Sequence, residues 1–299
     1  MNPAARTAGN TTKTFILLAA LTGLLVGIGY LFGGASGLVL FAGIAVVMNL
    51  AMYWFSGPMA LKMSRAKEVS EEQEPELHRM IAQLSQRAGL PKPSVHVTPA
   101  DQPNAFATGR SPKHAAIAVT QGIQRALPQR ELEGVLAHEM AHIRNRDILI
   151  ASIAAMVAGA ISYIVTFLQF SLFFGGDDDN PLGLIGTLAA IILAPIAAMI
   201  IQMSISRQRE YIADATGAEL LNDPLPLADA LETLQRGAEA VPMQVNQAAA
   251  PLYIVNPLAS NLGARKAMSS LFSTHPPTEE RVARLRRMAG QPDMRLQSF

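Results

Sequence analysis

The sequence has no cysteine, which excludes disulfides, thiolate catalysis and cysteine-ligated metal sites together. Any metal must be held by His, Asp or Glu. It is also poor in charge: Asp, Glu, Lys and Arg make up 16% of the 299 residues, against about 25% in an average soluble domain. The deficit is local. Residues 14–61, 148–176 and 180–206 carry none of these four residue types, and the remaining chain has an ordinary charge density. The net charge is only +1 and no long basic run occurs, so nucleic acid is not an expected partner. Such a composition belongs to a chain that is partly in lipid and partly in water.

About 20 apolar residues cross the hydrocarbon core. Two runs near that length, 15–32 and 38–55, are joined by the segment GGASG. Two longer ones, 148–174 and 182–205, are separated by GGDDDNP. The expected organisation is an N-terminal transmembrane hairpin (1–61), a first water-facing segment (62–147), a second hairpin (148–206) and a second water-facing segment (207–299). A cleaved signal peptide is the competing reading of the first run, but that run exceeds the usual 7–15 apolar residues and a second follows at once. Lys and Arg near span ends set orientation. Arg6 and Lys13 precede the first span, Lys62, Arg65 and Lys67 follow the second, Arg144 and Arg146 precede the third, and Arg207 and Arg209 follow the fourth. The short connecting turns carry no Lys or Arg. Both termini and both water-facing segments are therefore expected in the cytoplasm.

In the first water-facing segment, Ser70 opens an S-x-x-Q signal ahead of a periodic run from Leu77 to Leu90, stopped by Pro91. Short strands are expected at 94–98, 104–108 and 115–120, then a helix from about Gln129 that can run on into the third span. The second segment continues the fourth span to about Leu221. It then has a helix near 226–240, a Pro-, Asn- and Gln-rich loop at 241–263, and a last helix from about Thr278 bearing Arg281, Arg284, Arg286 and Arg287.

The chemistry centres on His138-Glu139-Met140-Ala141-His142. Residues i and i+4 of a helix share a face, so both imidazoles can reach one zinc ion while Glu139 stands beside them as general base. The competing reading is two surface histidines on a charged helix. A catalytic zinc needs a third ligand, and the hairpin topology points to one. His142 lies six residues before the third span and Glu210 four residues after the charge-free stretch ends at Ser206. At 1.5 Å per residue they emerge on one side of the membrane, about 9 and 6 Å beyond the apolar ends. Glu210 thus stands at the depth needed for a His₂Glu site, or else is an exposed carboxylate in an Arg-rich stretch. Asp214, one turn further on the same face, can orient a ligand imidazole.

On these residues the chain resembles the HtpX-type membrane metalloproteases, relatives of the CAAX prenyl-protein endopeptidases. The resemblance is carried by HEMAHIRNRD at 138–147, SRQREYIADATG at 206–217, NAFATG at 104–109, STHPPTEERVARL at 273–285 and the order of the four spans. It implies a mainly α fold with a small β-sheet: four transmembrane helices plus a cytoplasmic gluzincin-like zinc protease domain. His138, His142 and Glu210 match that family's zinc ligands, one zinc per chain, and Glu139 matches its catalytic base. The implied activity is endoproteolysis of damaged or misassembled membrane proteins at the cytoplasmic face of the bacterial inner membrane, often within a stress response. Protein substrates and membrane lipid are the implied partners.

Other elements stay open at this level. Asn104, Ala105, Phe106 and Ala107 read either as an edge that pairs with substrate backbone or as a plain structural strand. His275, ahead of two prolines, is either a donor to the oxyanion of the transition state or a surface histidine. His78, His96 and His114 lack partners at ligand spacing and read as structural or solvated. An intramembrane protease also uses H-E-x-x-H, but Arg130, Glu131, Glu133, Arg144, Arg146 and Asp147 keep this motif in water or at the interface. A non-catalytic scaffold would hold its zinc with four protein ligands, and three good ones are found.

Overall fold

The computed structural model describes residues 3–154, 207–240, 252–255 and 276–290. Helix α1 (Pro3–Met63) is divided at Gly34, where φ is 53° and ψ −139°. Asn49 Nδ2 donates to Thr22 Oγ1 at 2.8 Å, across 27 residues of sequence. In a straight helix that separation would span about 40 Å, so the chain folds back at Gly34, inside the GGASG segment, as a helical hairpin. Among the described residues, one helical stretch, Gly34–Met63, is long and apolar enough to cross a membrane, and 11% of its most apolar window is buried. The expected spans at 148–174 and 182–205 lie outside the described residues, apart from a helical start at 148–154.

After α1 come β1 (Lys67–Glu68), α2 (Pro75–Ala88), β2 (Ser94–Thr98), β3 (Ala105–Gly109) and β4 (Ala115–Thr120). Helices α3 (Gln121–Ala126), α4 (Gln129–Arg144), α5 (Arg207–Leu221), α6 (Leu225–Ala240) and α7 (Thr278–Met288) complete the described elements. The Ser70 signal is only half used. Gln73 Oε1 accepts from the Ser70 amide at 2.8 Å, but the helix itself starts later, at Pro75, where proline's missing N–H costs nothing.

The strands order β1-β2-β4-β3, with β2 parallel to β4 and the outer pairs antiparallel. Period-two alternation sorts their side chains between two layers. Val95, Ile117 and Val119 face the main core with Leu77, Ile81 and Leu84 of α2, Leu136 and Met140 of α4, and Leu227 and Leu231 of α6. Phe106 and Ala118, opposite one another in register, face the other way and pack with Ala60 of α1 and Tyr253. The sheet therefore has the helical core on one face and the foot of α1 on the other.

Helix α4 does not run on into the third span. Asn145 caps it, Arg146 takes a φ of 59°, and a new helical stretch starts at 148. The continuation into the third span that the sequence left open is thus interrupted, and the break has a role in the site.

Candidate metal centre

Helix α4 places His138 and His142 one turn apart, with Glu139 between them; His138 is 0% and Glu139 2% exposed. Helix α5 crosses α4 on the face formed by Glu210, Ala213, Asp214 and Gly217, all of them buried. Gly217 sets how close α5 comes. A methyl there would stand 3.0 Å from the His138 amide nitrogen and 3.2 Å from the Ala137 carbonyl carbon.

The two imidazole Nε2 atoms lie 3.1 Å apart. Glu210 carboxylate oxygens lie 3.7 Å from His138 Nε2 and 3.6 Å from His142 Nε2. Donors held about 2.0–2.1 Å from a tetrahedral ion stand roughly 3.4 Å from one another, so this triangle has the size of one face of such a site. Each imidazole turns its other nitrogen to a carboxylate. His138 Nδ1 donates to Asp214 at 2.9 Å, and His142 Nδ1 to Asp147 at 3.0 Å. In the neutral imidazoles that arrangement fixes the tautomer with Nε2 unprotonated and facing the centre.

Sequence reasoning did not single out Asp147. On a continuous helix, position i+5 lies about 140° round from His142; only the break at 145–147 swings its carboxylate back. Arg281 was missed as well. It is 1% exposed, and its Nε and Nη2 grip both Asp214 oxygens at 2.9 and 2.7 Å. Its Nη1 donates to the Ile254 carbonyl at 3.1 Å. Four arginines decorate the last helix, and nothing in their spacing marks this one; the Asp214 partner is 67 residues away.

Burial and charge shift the site's titrations in different directions. Burial lowers His138 to about 4, outweighing its Asp214 hydrogen bond. Burial would also lower His142, but Glu210, Asp147 and Glu139 overcome it and raise the group to about 9. Glu139 is pushed up to about 7 by burial, against the charge of His142 and a hydrogen bond from the Ala107 amide. Burial would raise Asp214, yet Arg281 holds it down at about 2.

The donor set suits a divalent cation. Four buried carboxylates (Glu139, Asp147, Glu210 and Asp214) face two buried guanidinium groups, Arg209 and Arg281. With both imidazoles neutral, a dication balances what remains. His138, His142 and Glu210 are the group among the described residues whose ligand atoms all lie within 4.8 Å of one another.

The remaining candidates fall as follows. Strand β3 is an edge strand, starting one residue later than expected, and residues 252–255 cover its beginning. Asn104 Nδ2 donates to the Val255 carbonyl at 2.8 Å and the Ile254 amide to the Ala105 carbonyl at 3.1 Å. The Phe106 side chain is buried edge-to-face against Tyr253, ring centroids 5.1 Å apart. Ala107, with its amide on Glu139, is the member of the four nearest the chemistry. His275 lies outside the described residues.

Comparison with known proteins gives the family. The sequence model described as peptidase family M48 matches residues 71–289. A protein named Protease HtpX homolog from Persephonella marina is 54% identical over 286 residues, covering 94% of this chain and 98% of the relative. Proteins of the same name from Gemmatimonas aurantiaca and Pyrococcus furiosus are 52% and 50% identical, each across 94% of this chain and 99% and 96% of theirs. Among solved structures, Ste24p of S. mikatae superposes with a TM-score of 0.50 at 20% identity, covering 94% of this chain and 67% of that one, a likeness of fold.

Proposed function

Because the chain belongs to peptidase family M48 and is a metalloprotease, we propose that it is a membrane-anchored zinc endopeptidase working at the cytoplasmic face of the bacterial inner membrane. Its substrates are damaged or misassembled membrane proteins, and its place is in protein quality control under stress. Four spans, 15–32, 38–55, 148–174 and 182–205, carry the protease halves 62–147 and 207–299 on one side. The positive flanks of all four and the apolar surface of Gly34–Met63 support this arrangement.

The single observation that carries the reading is the His138–His142–Glu210 triangle with a buried carboxylate beside it. His138, His142 and Glu210 would hold the zinc, a nitrogen- and oxygen-donor set that leaves one position open. Bound zinc supplies Lewis-acid activation of water and of the scissile carbonyl. Glu139, raised to about 7, is suited to take the water's proton and return it to the leaving amine near neutral pH. Asp214 and Asp147 hold the imidazoles in the required tautomer, and Arg281 keeps Asp214 ionised and in place. Substrate backbone adds beside β3 at Ala107, beyond the part covered by Ile254. His275 is the proposed oxyanion donor.

The test is Glu139→Gln. The amide cannot accept a proton, so cleavage of an unfolded protein substrate should fall by at least about a hundredfold, with zinc content unchanged. Substantial residual cleavage would move the base elsewhere.

A further inference from the structure

A second polar site lies on the opposite face of the sheet, where the foot of α1 meets the strands. The cleft has a volume of about 470 Å³, within the range of ligand sites. Trp54, Pro58 and Leu61 of α1 form its apolar wall; His96, Arg110 and Lys113 are the polar groups the argument uses, with Lys92, His114 and the Glu68 carboxylate also on the lining. Lys92 is neutralised by an ion pair with Glu71, and His114 is engaged by Ser111. The junction is tightly built: a methyl on Gly57 would stand 3.0 Å from the Gly109 Cα. That approach sets Arg110 against the helix, its guanidinium carbon 4.3 Å from the centre of the Trp54 ring.

Three observations point to a ligand. His96 is 8% exposed, and its ring lines the cleft. Arg110 and Lys113 bring positive charge to the same space. Trp54, half exposed and paired edge-on with Tyr53, stands two turns before Lys62, the first charge after the span. Aromatic residues in that place mark the headgroup level of a bilayer, and the apolar wall continues into exposed Phe55 and Met59. We propose that this cleft binds the phosphate-bearing headgroup of an anionic phospholipid. Arg110 and Lys113 face the phosphate, the His96 ring meets a headgroup oxygen, and the acyl chains run along α1. The site would tie the orientation of the sheet to the membrane surface. It rests on the reading that Gly34–Met63 spans the membrane.

The experiment adds phosphatidylglycerol to the delipidated full-length protein in mild detergent and counts retained lipid by native mass spectrometry. The parent should hold one phosphatidylglycerol in preference to phosphatidylcholine. Arg110→Ala/Lys113→Ala should bind it about twenty-five-fold more weakly, two cationic contacts at about fivefold each. Equal retention by parent and variant, or equal binding of the two lipids, overturns the proposal. Displacement of the lipid by millimolar inorganic phosphate overturns it too, by making the cleft a site for soluble anions. Resistance of the protein to alkaline extraction from vesicles checks the spanning reading separately, and zinc content checks the metalloprotease reading, so the failures are told apart.

Discussion

The stretch Gly34–Met63 and the metal centre invert one another's chemistry. Val39 and Val47 on the helix are 69% and 67% exposed, whereas Glu139 and Arg281 are 2% and 1% exposed. Apolar groups outside and charges inside would be a poor design for one solvent. The two regions are built for two surroundings. The helix satisfies its backbone internally and exposes apolar side chains, as a segment suited to lipid does. The centre shields its charges from water and satisfies them with one another, so each is stable only while its partner remains.

That contrast can be broken from either side. The largest expected effect is at Arg281. Arg281→Met leaves Asp214 buried without its guanidinium, and removing one partner of such a pair costs about 3–5 kcal/mol. Chemical denaturation of the metal-free protein should show that loss, with weaker metal binding beside it. A change below about 1 kcal/mol, the scale of surface pairs, would mean that Asp214 is held by something else. Val47→Lys attacks the helix near its midpoint. In a membrane, Lys at mid-span costs about 2.5–3.5 kcal/mol, so the membrane-inserted fraction should fall. If the variant inserts and folds like the parent, that face meets water and the contrast collapses.

Proton linkage gives the smallest effect. His142 is raised to about 9 in the metal-free site, so it is mostly protonated at neutral pH and must lose that proton to become a ligand. Metal binding should therefore tighten by roughly tenfold, about 1.4 kcal/mol, per pH unit from 7 towards 9. Calorimetry in two buffers of different ionisation enthalpy should find about one proton released. Binding independent of pH would contradict the charge balance assigned to Glu210, Asp147 and Glu139.

The parts legible in the sequence are those written in local spacing. H-E-x-x-H sets two imidazoles and a carboxylate on one helix, and β2 and β4 occupy the residues their patterns mark. Glu210 was reachable because a hairpin, expected from the two apolar runs, would return to the side it left. Asp147 was hidden by the apparent continuity of helix and span, since only a positive φ at Arg146 breaks it. Arg281 and the Ile254 segment were hidden for another reason. They reach the site through tertiary contacts, Ile254 to Ala105 and Arg281 to Asp214, that no local period encodes.

The central claim is that one metal ion is held by His138, His142 and Glu210, with Asp214 behind them. Zinc stoichiometry by atomic absorption, after exhaustive dialysis of the parent, Glu210→Ala and Asp214→Asn, tests it most directly. The parent should retain one zinc per chain. Glu210→Ala, left with two imidazoles, should retain almost none, while Asp214→Asn should keep the site with an affinity about 10- to 100-fold weaker. Full occupancy in Glu210→Ala would contradict the three-ligand assignment, and a greater loss in Asp214→Asn than in Glu210→Ala would reverse the roles of the two carboxylates.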